Sequence, residues 1–139
     1  MNLEPVIEQI RSRMERMHQR YSAIYPNHPM PTSVLLTAFA EEMAERLDRD
    51  DKVAVEVMKA VVDPADLHLD DFWRTPLGRL MFAAGAYAPD REMVGQSFAA
   101  GVLGFSRQRV SQLVASGRLT RVGVMVPVGQ VRNLLKQRI

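Results

Sequence analysis

The sequence predicts a mainly α protein in two parts. An acidic helical N-terminal domain covers residues 1–90, and a smaller basic part with a short β-hairpin covers 91–139. Three observations carry this. Apolar residues recur at helical spacing along most of the chain, in a composition 47% hydrophobic and only 6% aromatic. Asp63-Pro64 and Thr75-Pro76 mark helix starts in the first part, whereas glycines at 104, 117 and 123 mark tight turns in the second. The charge is also divided. All 16 carboxylates lie in residues 1–92 against 11 Lys and Arg, while residues 93–139 hold seven cations and no acid.

Leu3, Ile7, Ile10, Met14, Met17, Tyr21 and Ile24 are spaced alternately four and three apart, a heptad stripe of about three repeats. The stripe suits a helix that pairs with a second copy of the chain; it equally suits an amphipathic helix lying on its own domain. Pro26, Pro29 and Pro31 end this helix in a stiff connector. Thr32 or Ser33 can cap a second helix, with Leu35, Leu36, Phe39, Met43 and Leu47 on its buried face. VAVEVMKAVV (53–62) alternates like a strand but has no partner strand nearby, so it is expected as a helix.

Between the two proline-marked starts lies ADLHLDDFWR. Asp66, His68, Asp70 and Asp71 suggest a metal cluster on paper. A polar turn with Leu67, Leu69, Phe72 and Trp73 facing the core is the preferred reading. Ala88-Pro89-Asp90-Arg91 breaks the chain where the charge balance flips, and the domain boundary is placed there.

Several functional classes are disfavoured. With no cysteine, disulfide frameworks and thiolate metal sites are absent. No apolar run is long enough to span a bilayer, and MNLEPVIEQIRSRMERM lacks a signal-peptide layout, so a cytoplasmic protein without membrane partners is expected. His18, His28 and His68 are scattered and no phosphate-loop motif occurs, so neither catalysis nor a cofactor is expected. The acid-free basic segment instead favours a polyanionic partner, nucleic acid before an acidic membrane, because its charges are spread over several short elements.

The most informative stretch is QSFAAGVLGFSRQRVSQLVASGRL (96–119). Phe98, Ala99, Val102 and Leu103 follow helical spacing; Gly104 supplies a turn, Phe105 an apolar plug and Ser106 an N-cap. In the next helix Val110, Leu113 and Val114 share one face. At about 100° per residue the opposite face centres on Gln108, Ser111, Gln112 and Ala115, with Arg107 and Arg109 flanking it. Gly117 closes the helix. Ala100, four residues before the turn glycine, is small enough to let the two helices cross closely. This is a helix-turn-helix pattern whose second helix carries the residue types that read base edges: Gln for adenine, Arg for guanine or phosphate. Leu119 to Val122 and Val124 to Val126 can then form a short hairpin around Gly123. Val128, Val131, Leu134 and Leu135 give a closing helix with Arg132, Lys136 and Arg138 turned outward.

AAGVLGFSRQRVSQLVASGRL followed by VPVGQVRNLL resembles the compact winged helix-turn-helix of the excisionase and MerR-like superfamily, over about residues 93–136. The resemblance implies that the helix at 106–116 enters the DNA major groove and that the wing at 118–126 meets the minor groove or backbone. Arg107, Gln108, Ser111 and Gln112 would then face bases or phosphates, with Arg109 on phosphate or bracing the fold, and Arg118 and Arg121 acting from the wing. The wing is shorter than in the family and apolar at its tip, Val122-Gly123-Val124. The effector-binding cysteines and long C-terminal coiled coil of MerR activators are missing. The expected function is sequence-specific binding of double-stranded DNA as a homodimer, as a repressor-like regulator or as a recombination, phage or plasmid accessory factor. The competing expectation is a protein-interaction adaptor working through residues 1–90.

Overall fold

The computed structural model describes residues 2–138, the side chain of Arg138 excepted. The chain is 66% helical and carries one two-stranded antiparallel sheet. α1 (Glu4–Ile24) stops ahead of Pro26 and packs along α2 (Ser33–Asp48). Their connector is pinned to α1 by His18 Nδ1 and His28 Nε2, 2.9 Å apart, so two histidines that look scattered in sequence meet here. Helices α3 (Lys52–Val61), α4 (Pro64–Leu67), α5 (Asp70–Trp73) and α6 (Pro76–Ala83) follow.

Local capping explains most of these starts. Thr32, Asp51, Asp63 and Thr75 each accept a backbone N–H from the first turn that follows. Asp51 captures the amides of Val53 and Ala54, and the alternating valine segment is a helix as expected, burying Ala54, Val55 and Met58. α6 buries Leu77, Gly78, Leu80, Met81, Phe82 and Ala83, so it is apolar on nearly every side, Arg79 excepted, and sits among α1, α2, α5 and the C-terminal helix. A Cβ at Gly78 would collide with the Phe72 carbonyl, so α5 and α6 approach as closely as they do only because the residue is glycine. Gln9 of α1 completes the α6 start: its Oε1 accepts from Leu77 N at 2.8 Å and its Nε2 donates to Thr75 Oγ1 at 2.9 Å.

Two residues expected in the core are exposed. Leu35 lies beside the face of Leu36, Ala40, Met43, Ala44 and Leu47 that α2 buries. Leu69 is the extended residue before α5, where its side chain turns to solvent. The heptad stripe is divided. Ile10 is fully buried in the chain's own core, with Leu3, Ile7 and Met14 packed against that core. Met17 is half-buried, and Tyr21 and Ile24 are exposed.

The C-terminal segment runs β1 (Met93–Gly95), α7 (Gln96–Leu103), α8 (Arg107–Ala115), β2 (Met125–Pro127) and α9 (Val128–Arg138). The expected hairpin of Leu119–Val122 with Val124–Val126 is corrected: β2 pairs with β1, Val94 opposite Val126, across the whole two-helix unit. Only Val122 and Met125 remain bridged around the Gly123-Val124 turn, with Gly123 at φ +64°. Leu119 is buried, and Thr120 N donates to Gln130 Oε1 of α9 at 2.7 Å. Residues 119–120 are therefore committed to α9 and cannot extend a ladder with β2.

Buried apolar residues from Val6 to Leu135 form one contiguous cluster. Phe98 of α7 packs against the rings of Phe82 and Tyr87. α9 packs on α6 through its apolar side. The sequence had suggested that Arg132, Lys136 and Arg138 turn outward, but two of these cations do not face solvent freely. Arg132 pairs with Asp90 at 2.6 Å and Lys136 with Asp50 at 2.5 Å, while Arg138 falls outside the described side chains.

Candidate nucleic-acid interface

α7 and α8 are joined by a three-residue turn, and the same device closes each of the two helices. Gly104 (φ +69°) follows α7, with Gly104 N bonded to Gly101 O and Phe105 N to Ala100 O. Gly117 (φ +82°) follows α8, with Gly117 N bonded to Val114 O and Arg118 N to Leu113 O. Both are Schellman closures, in which a left-handed residue lets the chain satisfy two terminal carbonyls and turn away. The last cap position of α8 is Ser116, with Gly117 just beyond it. Ser106 caps the start of α8, its Oγ accepting from Arg109 N at 3.1 Å.

α8 is held down by Val110 and Leu113, both buried, with Val114 packed against the core. The other side is open: Ser106, Arg107, Gln108, Arg109, Ser111 and Gln112 are all exposed. The side chains of Arg107, Gln108, Ser111 and Gln112 make no hydrogen bond or ion pair among the described residues. Arg109 differs, because its guanidinium lies over the Phe105 ring, 5.6 Å from the centroid, which braces the turn while leaving its charge unneutralised. Arg118 donates to Gln137 Oε1 at 3.1 Å, and Arg121 is exposed beyond it.

The pairing of β1 with β2 brings residues beside α8 that sequence reasoning did not single out. Gln96 N donates to Val124 O at 2.9 Å, tying the start of α7 to the apolar turn. A cleft of about 340 Å³ opens between these elements, lined by Gly95, Gln96, Ser97, Arg107, Ser111 and Val124. Gln96 and Ser97 thus extend the polar surface of α8. Their only sequence signal is position at a helix start, which is uninformative until the strand pairing is known.

Ion pairing sharpens the charge argument. Among the described side chains, Arg132 and Lys136 of α9 are paired with Asp90 and Asp50, whereas Arg107, Arg109, Arg118 and Arg121 meet no carboxylate. Within the acid-free segment, the cations without a described carboxylate partner are therefore those of α8 and the stretch that follows it. No group of three or more His, Cys, Asp or Glu that could hold a metal occurs among the described residues, and no described helix is long and apolar enough to cross a membrane. Compared with family models, curated proteins and solved structures, the chain matches none.

Proposed function

We propose that the chain is a sequence-specific double-stranded DNA-binding protein, acting as a repressor-like regulator, with α7, α8 and the β1–β2 sheet serving as a compact winged helix-turn-helix. One observation carries the reading: α8 turns four uncommitted polar side chains, Arg107, Gln108, Ser111 and Gln112, away from the Val110 and Leu113 anchor. Gln and Arg there have the donor–acceptor patterns that fit adenine and guanine edges in the major groove. Arg118 and Arg121 would hold phosphates beside it, and Arg109 would act on phosphate from its seat on Phe105. The likeness to excisionase and MerR-like sequences points the same way and leaves a recombination or plasmid accessory role as the variant within this class.

A single small module makes a limited interface, so the protein would act as a homodimer. The exposed end of the heptad stripe supports this: Tyr21 and Ile24 lie at the same end of the α1–α2 pair as Tyr25, Met30, Val34 and Leu35, all exposed. The double variant Ile24→Glu, Leu35→Glu should halve the mass seen by light scattering, and an unchanged mass would remove this surface from the proposal. The same apolar end favours the second reading, an adaptor for another protein.

Selection of bound duplexes from a random pool tests the primary reading. The expected product is a palindrome with half-sites about one helical turn apart. Replacing Gln108 or Gln112 by Ala should cost about 1–3 kcal/mol on the selected site and little on random duplex. Failure to enrich any sequence, with partner capture surviving Arg107→Ala and Gln108→Ala, favours the adaptor.

A further inference from the structure

The connector after α1 is held to that helix by two side-chain contacts, one helical turn apart. His18 Nδ1 and His28 Nε2 lie 2.9 Å from one another, and further along α1 Ser22 Oγ donates to Met30 Sδ at 3.3 Å. His18 and Ser22 are four residues apart, so they share one face of α1. The two imidazoles are half-buried and nearly parallel, with 17° between their planes, and the Tyr21 ring lies 5.3 Å from that of His28. The outer ring nitrogens, His18 Nε2 and His28 Nδ1, meet no partner among the described residues.

Two ring nitrogens therefore converge on one point. Imidazole nitrogens bound at about 2.0 Å to a shared ion stand about 3.3–3.5 Å apart, so this pair needs to open by only about 0.5 Å to chelate one. The neutral pair holds a single proton between its rings. When an ion takes its place, that proton moves to the outer nitrogen of the same ring, and both facing lone pairs become ligands with no net proton release. A third donor stands close by. The Met30 sulfur is about 5.4 Å along α1 from the imidazoles; its side chain is 46% exposed and turns about three single bonds, so it can leave Ser22 for the ion. No Asp or Glu joins the two histidines among the described residues, so a hard divalent ion would find no anionic ligand. Two imidazoles and a thioether are instead a neutral, soft donor set, which selects monovalent copper. We propose that His18, His28 and Met30 bind one Cu(I) ion. Occupancy would staple the connector across the exposed end of the α1–α2 pair, beside Tyr21 and Tyr25. The proposal is independent of the DNA-binding reading, because the site lies outside the basic segment.

The full chain is titrated with Cu(I) without oxygen, in ascorbate, against a coloured Cu(I) chelator, and one ion per chain is expected. Cu(I) is diamagnetic, so proton NMR locates it in the unsubstituted protein. The ring signals of His18 and His28 and the methyl signal of Met30 should move and saturate at one equivalent, while those of His68, the remaining histidine, stay in place. Outer-shell groups of metal sites are worth about 10–100-fold in affinity, and a ligand is worth at least as much. His18→Gln and His28→Gln should therefore each weaken Cu(I) binding about a hundredfold, and Met30→Leu, which keeps the bulk but removes the sulfur, about tenfold. His68→Gln should leave it unchanged, with circular dichroism verifying the fold of each variant. Zn²⁺ should bind at least about tenfold more weakly than Cu(I). The proposal is overturned by no saturation at one equivalent, by His68 signals moving as far as those of His18 and His28, by unchanged affinity in Met30→Leu, or by Zn²⁺ binding as tightly as Cu(I).

Discussion

Raising the salt concentration should separate the α8 surface from α9 as the carrier of DNA affinity. Each phosphate neutralised by a protein cation releases condensed counterions, giving a slope of log affinity on log salt of about −0.9 per contact on duplex DNA. Four cations on α8 and the segment after it, Arg107, Arg109, Arg118 and Arg121, face no carboxylate among the described residues, whereas Arg132 and Lys136 are held by Asp90 and Asp50. With all four engaged, the slope is about −3.6 per bound protomer, and a fourfold rise in salt weakens binding about 150-fold. Adding Arg132 and Lys136 would steepen it to about −5.4, or about 1,800-fold over the same interval. Fluorescence anisotropy of a labelled selected duplex, titrated at several salt concentrations, distinguishes the two. Arg121→Ala should flatten the slope by about one unit, and Arg132→Ala should leave it unchanged. An Arg132→Ala effect equal to that of Arg121→Ala, or a wild-type slope near the steeper value, would refute the assignment of the binding face.

Leu113→Ala should destabilise the fold by about 2–5 kcal/mol in chemical denaturation, because it empties the anchor under α8, while Gln112→Ala on the open face should stay within about 0.5 kcal/mol. Equal losses would mean that Gln112 is a structural residue. Gly78→Ala should cost about 1–3 kcal/mol and lower the melting temperature by several degrees, since its new methyl meets the fixed carbonyl of Phe72; an unchanged midpoint would show that α5 moves freely against α6. The Asp51 carboxyl is held below the ordinary aspartate value, chiefly by the hydrogen bond from Arg46. Its folded value lies below its unfolded one, so its contribution is present above the unfolded value and is lost as pH falls through the folded one. Asp51→Asn keeps a good N-cap but removes the charge. Melting curves should therefore fall less steeply with acid below about pH 4 in this variant than in the parent chain. Parallel acid limbs in the two proteins would contradict this.

Most helices, their starts and the open face of α8 were legible in the sequence because each depends on neighbours within a few residues; α5, which has no capping side chain, forms where a polar turn was expected. Thr32, Asp63, Thr75 and Ser106 lie beside the amides they cap, and Gly104 and Gly117 beside the carbonyls whose closing bonds they allow. The same holds for Val110 and Leu113 opposite Gln108 and Gln112, since helical period alone divides those faces. The strand pairing was not legible. β1 and β2 are three residues each and about thirty apart, so neither has enough alternation to announce itself or its partner. Gln96 and Ser97 stayed hidden for the same reason.

Composition and periodicity by themselves determined a mainly helical chain, the acid-free basic segment and the side chains that α8 leaves uncommitted. Only the tertiary structure decided which cations stay unneutralised, because Asp50 and Asp90 are 86 and 42 residues from the Lys136 and Arg132 they neutralise. It also decided that Ile10 belongs to the chain's own core while Ile24 faces solvent, and that Asp70 and Glu92 line one cavity. A periodic pattern fixes which residues share a face; what that face meets depends on contacts between segments distant in sequence, and these form only when the whole chain packs.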